Sequence, residues 1–351
     1  MTMQKKSPPV SRRKFIQTAG AGALALGAAP AILRAAEPVV VGSGEHKYEW
    51  DSTWATLPEG KHYGNAHAIQ VVADGRFFVH NTGVDAICVF DPAGKFIESW
   101  GKEYAGGAHG MQLRKEGNDE YFYLALTGQH RVVKIDTKGK VVWELKGAPV
   151  EHEEYAKNKL SYVPTNIAVM PGEGDIYVSD GYGSSFVHQY TKDGKFIRAF
   201  GGKQKDVKAL GSLNSPHGIF IDSRSGKPIV IVADRGNGRI QNFTPEGVAL
   251  NASPDELRMP CHFDVRGSDL LIPDLQGRVT IFDKDNKLVT HLGDNPDAKR
   301  RGPNGHKMPP DQWKDGLFHN PHGACYDKDG NIYVAEWLEP IGRVTKLKKI
   351  A

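Results

Sequence analysis

One pattern recurs along the chain and leaves few folds open to it. "HGIFIDS", "KPIVIVADR" and "RIQNFTPEG" follow one another as three β-rich runs between Gly/Asp turns, and "TNIAVMP", "GDIYVSDG" and "FVHQYTKDG" do the same earlier. Comparable triplets begin at "HAIQVVA", "HGMQLRK", "HFDVRG" and "HGACYDK". A fourth run ("KFIESWG", "KVVWELK", "KFIRAFGG", "KLVTHLG") closes several of the units. Short alternating runs bounded by turn residues are strands, and helical periodicity is almost absent. Six units of four strands predict an all-β, six-bladed β-propeller. Two β-sandwiches would explain the strands but not the self-similarity. The sixth unit stops after "RVTKLKK", so closing the ring calls for a strand from near the N-terminus, "KYEWDST" or "PVVVGSG". The polar insertions 146–160 and 294–318 read as loops between blades.

Residues 1–36 stand apart from this repeat. "SRRKFIQ" (Ser11 to Gln17) is a twin-arginine signature, followed from Ala19 to Ala36 by a small-residue apolar stretch broken by Pro30 and Arg34. This predicts a cleaved export signal over 1–36 and a propeller over 37–351, with a periplasmic or secreted destination and no membrane span in the mature form. The leader holds six basic residues and no acid, so the net charge of +4 becomes −2 once it is removed. No basic field then remains for a nucleic-acid partner. Three cysteines, Cys88, Cys261 and Cys325, allow at most one internal disulfide and show no CxxC spacing; they read as buried small apolar residues.

In a propeller the first strand of each blade lines the central channel, so residues that start it converge on one rim. Aligning the units places His67, His109, Asn166, His217, His262 and His322 there. Antiparallel pairing brings the end of the second strand beside the start of the first. Tyr182, Arg235 and Trp337, with His80 and Asn81 in the first blade, are therefore expected at the same rim. Five imidazoles in register suit either a metal centre or an inherited repeat consensus that bonds neighbouring backbone. Three imidazoles with one open position would form a catalytic zinc site. The acids Asp180, Asp234, Asp274 and Glu336 recur at strand ends, where a turn-stabilising role is expected. "EHEEYAK" (Glu151 to Lys157) reads as a solvated helical turn.

The pattern in Pro216 to Phe243 resembles the NHL propeller family. Three stretches further resemble the peptidyl-α-hydroxyglycine α-amidating lyases: "IYVSDGYGSSFVHQYTKDGKFIRAFG", "SPHGIFID…IVADRGNGRIQNF" and "GAHGMQLR". This resemblance implies a zinc ion held by His109, His217 and His322, Tyr182 as the catalytic phenol, and Arg235 as a supporting cation. It implies cleavage of an α-hydroxyglycine at its C–N bond, with a small-molecule or peptide substrate. The chain departs from that family at Gly323, where an Asp ligand of calcium is expected, and near His80, Asn81 and Thr82, where an arginine is missing. His67 and His262 are additional to the three-ligand set.

The competing reading is a non-catalytic NHL propeller that binds a peptide, glycan or protein partner. An oxidoreductase lacks its haem motif, since no CxxCH is present, and "ADRGNGR" lies between strands rather than before a helix, so it predicts no dinucleotide site.

Overall fold

The computed structural model describes residues 37–172, 174–253 and 256–350. The twin-arginine stretch and its apolar continuation lie outside the described residues. Six antiparallel sheets follow one another, five of four strands and the last of five, which makes the chain the six-bladed β-propeller that the repeat predicts. No helix among the described residues is long and apolar enough to cross a membrane. One helix, α1 (Glu154–Asn158), occupies the first insertion.

The innermost strands of blades 1 to 6 are Ala66–Val71, Ala108–Glu116, Asn166–Val169, Pro216–Asp222, Asp264–Arg266 and Pro321–Tyr326. The missing strand of the last blade comes from the N-terminal side, as closure required. His46–Asp51 pairs with Arg343–Lys349, and Val40–Ser43 adds a fifth strand outside it. The two N-terminal candidates are thus both used.

Six apolar clusters weld the six blades, each drawn mainly from two neighbours. Ile69 and Val79 of blade 1 pack with Tyr333 and Ala335 of blade 6, and this contact closes the circle. Each large apolar side chain removed from water contributes roughly 1.5–3 kcal/mol, so the interfaces together offset the entropy of ordering many short strands. The recurrent acids hold the loops that enter the inner strands. Asp180 accepts from Val163 N at 2.5 Å, Asp234 from Asn214 N at 2.7 Å and Glu336 from His319 N at 2.7 Å. All three cysteines are free and buried.

Candidate metal centre

The inner strands do not run evenly into the channel. A register shift, in which one strand gains residues against its partner, falls between Ala66 and Ala68, between Ala108 and Met111, between Pro216 and Ile219, and between Pro321 and Gly323. His67, His109, His217 and His322 each sit inside one of these bulges. A bulge re-aims the side chain it carries, and here four imidazoles form one chain of ring contacts, His67 and His217 each packing against His109 and His322. The ring centroids of His109, His217 and His322 lie 4.6, 4.7 and 4.8 Å apart. His67 lies 5.0 Å from His109 and 4.5 Å from His322.

The remaining rim positions behave differently. Blade 3 pairs Asn166 with Ser179 and Ile167 with Val178 in regular register, and the Asn166 Oδ1 turns back to accept from Ile167 N at 2.8 Å. Blade 5 pairs Pro260 with Asp274 in an isolated bridge and resumes at Asp264 with Leu271, so His262 also lies within a one-residue register shift. Its ring is buried and neither nitrogen has a hydrogen-bond partner among the described residues. His80, expected at the rim, is fully buried within blade 1 with both ring nitrogens likewise unpartnered. Trp337 stacks on His306, centroids 4.7 Å apart, instead of joining the imidazoles.

Each clustered ring has one nitrogen already committed. His109 Nδ1 lies 2.7 Å from the Thr165 carbonyl, His217 Nδ1 2.7 Å from that of Cys261, and His322 Nδ1 2.8 Å from that of His67. His67 Nδ1 lies 3.0 Å from the Asn65 carbonyl. A carbonyl can only accept, so Nδ1 carries the proton and Nε2 presents a lone pair. The glycine after three of these histidines has a matching cause. A Cβ on Gly110, Gly218 or Gly323 would stand 2.6, 2.7 or 2.5 Å from the same Thr165, Cys261 and His67 carbonyls. The His-Gly pair therefore lets the next blade approach closely enough to orient the imidazole.

Tyr182 completes the site. Its ring is 42% exposed at the channel mouth, while its hydroxyl reaches the imidazoles, 3.1 Å from both His109 Nε2 and His217 Nε2. Arg235 Nη1 donates to the same oxygen at 2.9 Å. The phenol has one proton to offer two lone pairs, and the Nε2 atoms of His67 and His322 have no hydrogen-bond partner among the described residues. The centre is rich in nitrogen lone pairs, a donor set that suits a divalent metal with neutral imidazole ligands.

Electrostatics agree with that donor set. Burial lowers the pKa of His67 to about 4 and pushes those of His109, His217 and His322 well below the ordinary imidazole value. For the last three, neighbouring imidazoles and Arg235 add to the effect of burial. All four rings are thus held neutral, the form that ligates. Burial raises the Tyr182 pKa while the Arg235 charge pulls it down. The ligand atoms of His67, His109 and His322 fall within 4.8 Å of one another, as do those of His217, Cys261 and His322, and neither group contains a carboxylate. Cys261 is the site residue that the sequence reading missed. Its position immediately before the blade 5 rim residue was the available signal, because Thr165 holds the equivalent place in blade 3.

A propeller whose channel mouth gathers four imidazoles, a phenol and a guanidinium defines a class of channel-site protein. Comparison with known proteins narrows it. No protein-family model matches the chain. It is similar to the peptidyl-glycine α-amidating monooxygenase of Mus musculus, with 29% identity over 181 residues covering 48% of this chain and 18% of that protein. It is also similar to peptidyl-α-hydroxyglycine α-amidating lyase 1 of Drosophila melanogaster, with 26% identity over 278 residues covering 73% and 47%. The chain thus spans less than half the length of these curated relatives. Among solved structures, streptogramin B lyase superposes with a TM-score of 0.56 at 14% identity, covering 82% of this chain and 95% of that one. A gluconolactonase from Xanthomonas campestris does so with a TM-score of 0.53 at 13% identity, covering 81% and 88%. These two likenesses show the fold. The sequence relatives make the chain a propeller related to the enzymes of peptide amidation.

Proposed function

We propose that the chain is an exported, zinc-dependent carbon–nitrogen lyase acting on a small α-hydroxyglycine-type substrate. The observation that carries this reading is the Tyr182 hydroxyl, held at hydrogen-bond distance from His109, His217 and Arg235 at once. His109, His217 and His322 would hold the metal, which when bound supplies Lewis acidity to the substrate hydroxyl. Tyr182 as phenolate takes the hydroxyl proton. The oxygen electron pair forms the C=O of glyoxylate, the C–N bond pair passes to nitrogen, and the proton returned by Tyr182 completes the amide. Arg235 stabilises the phenolate and stands where a substrate carboxylate would enter. With no arginine near His80 to Thr82, it has to serve both roles.

The neutral ligand set supports an anionic substrate, since the bound metal and Arg235 would leave the centre cationic. Export rests on the twin-arginine stretch at Arg12 and Arg13. The test is glyoxylate release from α-hydroxyhippurate by zinc-loaded protein, wild type against Tyr182→Phe. Release by wild type with a loss of at least about 100-fold in the variant is the expected result. No release by either protein overturns the lyase reading, and equal rates remove Tyr182 from the mechanism.

A further inference from the structure

We infer that His67 is a fourth imidazole ligand of the same metal, so that the centre binds its ion through His67, His109, His217 and His322. This rests on the metal reading above and deepens it. His67 is set apart from the other spare histidines by its place in the fold. Its ring lies against those of His109 and His322 and its ligand atom groups with theirs, whereas His262 and His80 belong to no such group among the described residues. Its Nδ1 is spent on the Asn65 carbonyl at 3.0 Å, which leaves Nε2 as the only nitrogen it can offer. That ring packs 4.5 Å from His322 and 5.0 Å from His109, close to the 4.6–4.8 Å that separate the other three. The ligand atoms of His67, His109 and His322 form one group within 4.8 Å. The ligand atom of His217 groups with those of His322 and Cys261 instead, so a tetrahedral zinc, with Zn–N bonds of about 2.0–2.1 Å and nitrogens about 3.3 Å apart, requires His67 and His217 to draw together around the ion.

His67 differs from its three counterparts in one respect. They are oriented by the carbonyl of the next blade, and His67 by a residue of its own blade, because Ala68 stands where the others have glycine. His67 also offers its backbone carbonyl to His322 Nδ1 at 2.8 Å, so one residue would ligate with its side chain and orient a second ligand with its main chain. Four imidazoles fill a tetrahedron. Substrate then enters as a fifth ligand, as zinc permits in reacting complexes.

X-ray absorption at the zinc edge on the full-length protein, loaded with one equivalent of zinc alone, counts the imidazoles directly. Wild type is expected to show four, and His67→Ala three plus one oxygen, with zinc affinity reduced by more than about 100-fold. Removing the side chain keeps the carbonyl that orients His322, and circular dichroism identifies a variant that fails to fold. His262→Ala, which alters a ring outside the cluster, should leave the count at four. Three imidazoles with oxygen in both wild type and His67→Ala overturn the inference while leaving the metal reading intact. A sulfur scatterer near 2.3 Å would overturn it in favour of Cys261. Absence of bound zinc overturns both readings.

Discussion

The Nδ1 of His322 donates to the backbone carbonyl of His67 at 2.8 Å, across 255 positions of sequence. The last blade therefore has one of its candidate ligands oriented by the first. This contact exists only because the circle closes, and closure depends on the N-terminal strand His46–Asp51 completing blade 6.

Trp50 of that strand is buried against Phe318, centroids 4.5 Å apart, in the cluster shared by blades 5 and 6. Trp50→Ala is expected to cost about 3–5 kcal/mol through the cavity it opens. Urea unfolding followed by fluorescence measures the loss. A change below about 1 kcal/mol would mean that the outer strands are not integral to closure.

Arg235 donates to the Tyr182 hydroxyl and lies over its ring, 4.9 Å from the centroid. Arg235→Met removes the cation that lowers the phenol's pKa, so the phenolate should form only at higher pH. We expect kcat/KM to fall roughly 100-fold and the limb of its pH profile that reports phenol ionisation to move upward. A limb that stays in place would assign that ionisation to another group.

Gly183 follows Tyr182 in a turn with no room to spare. A Cβ there would collide with the Ser161 carbonyl and with both carboxylate oxygens of Asp180, which also holds Val163 and Ser184. Gly183→Ala should cost about 2 kcal/mol and displace the phenol beside it. Thermal melts and glyoxylate release should therefore fall together. A variant with the stability and rate of wild type would show the turn to be pliant.

Outside the centre, His188 of blade 3 is buried and its pKa falls to about 3, chiefly through loss of water and secondarily through His152. The unfolded chain binds this proton near pH 6.5 and the folded chain only near pH 3. Between those values the unfolded state holds more protons, so stability falls as pH falls, by up to about 1.4 kcal/mol per pH unit for this ring. His188→Phe keeps the apolar packing and should flatten that part of the acid limb in urea titrations between pH 6 and 4. An unchanged slope would show that His188 stays solvated.

Much of this molecule was legible from residues alone. Six repeats of strand and turn determined the blades, and the truncated sixth unit announced that an N-terminal strand must close it. Register within each unit was enough to put five histidines near one rim, because side chains alternate along a strand and the inner strand begins at the same place in each repeat. The phenol and the guanidinium followed from antiparallel pairing. Cys261 escaped notice because its spacing matches no ligand motif; only the approach of blade 5 to blade 4 brings it beside His217.

Which imidazoles meet was settled by tertiary structure. His262 and His67 look equivalent in sequence, each opening a strand-like run. Blade 5 pairs Pro260 with Asp274 and resumes at Asp264 with Leu271, so His262 also lies in a surplus of backbone, yet of the two only the ring of His67 packs against His109 and His322. A bulge is a local surplus of backbone that forms only against a partner strand, and the carbonyl that sets three of the four rings belongs to the next blade. The one-dimensional pattern thus determined the candidates, and packing between blades, through bulges and borrowed carbonyls, decided which of them cluster at the channel.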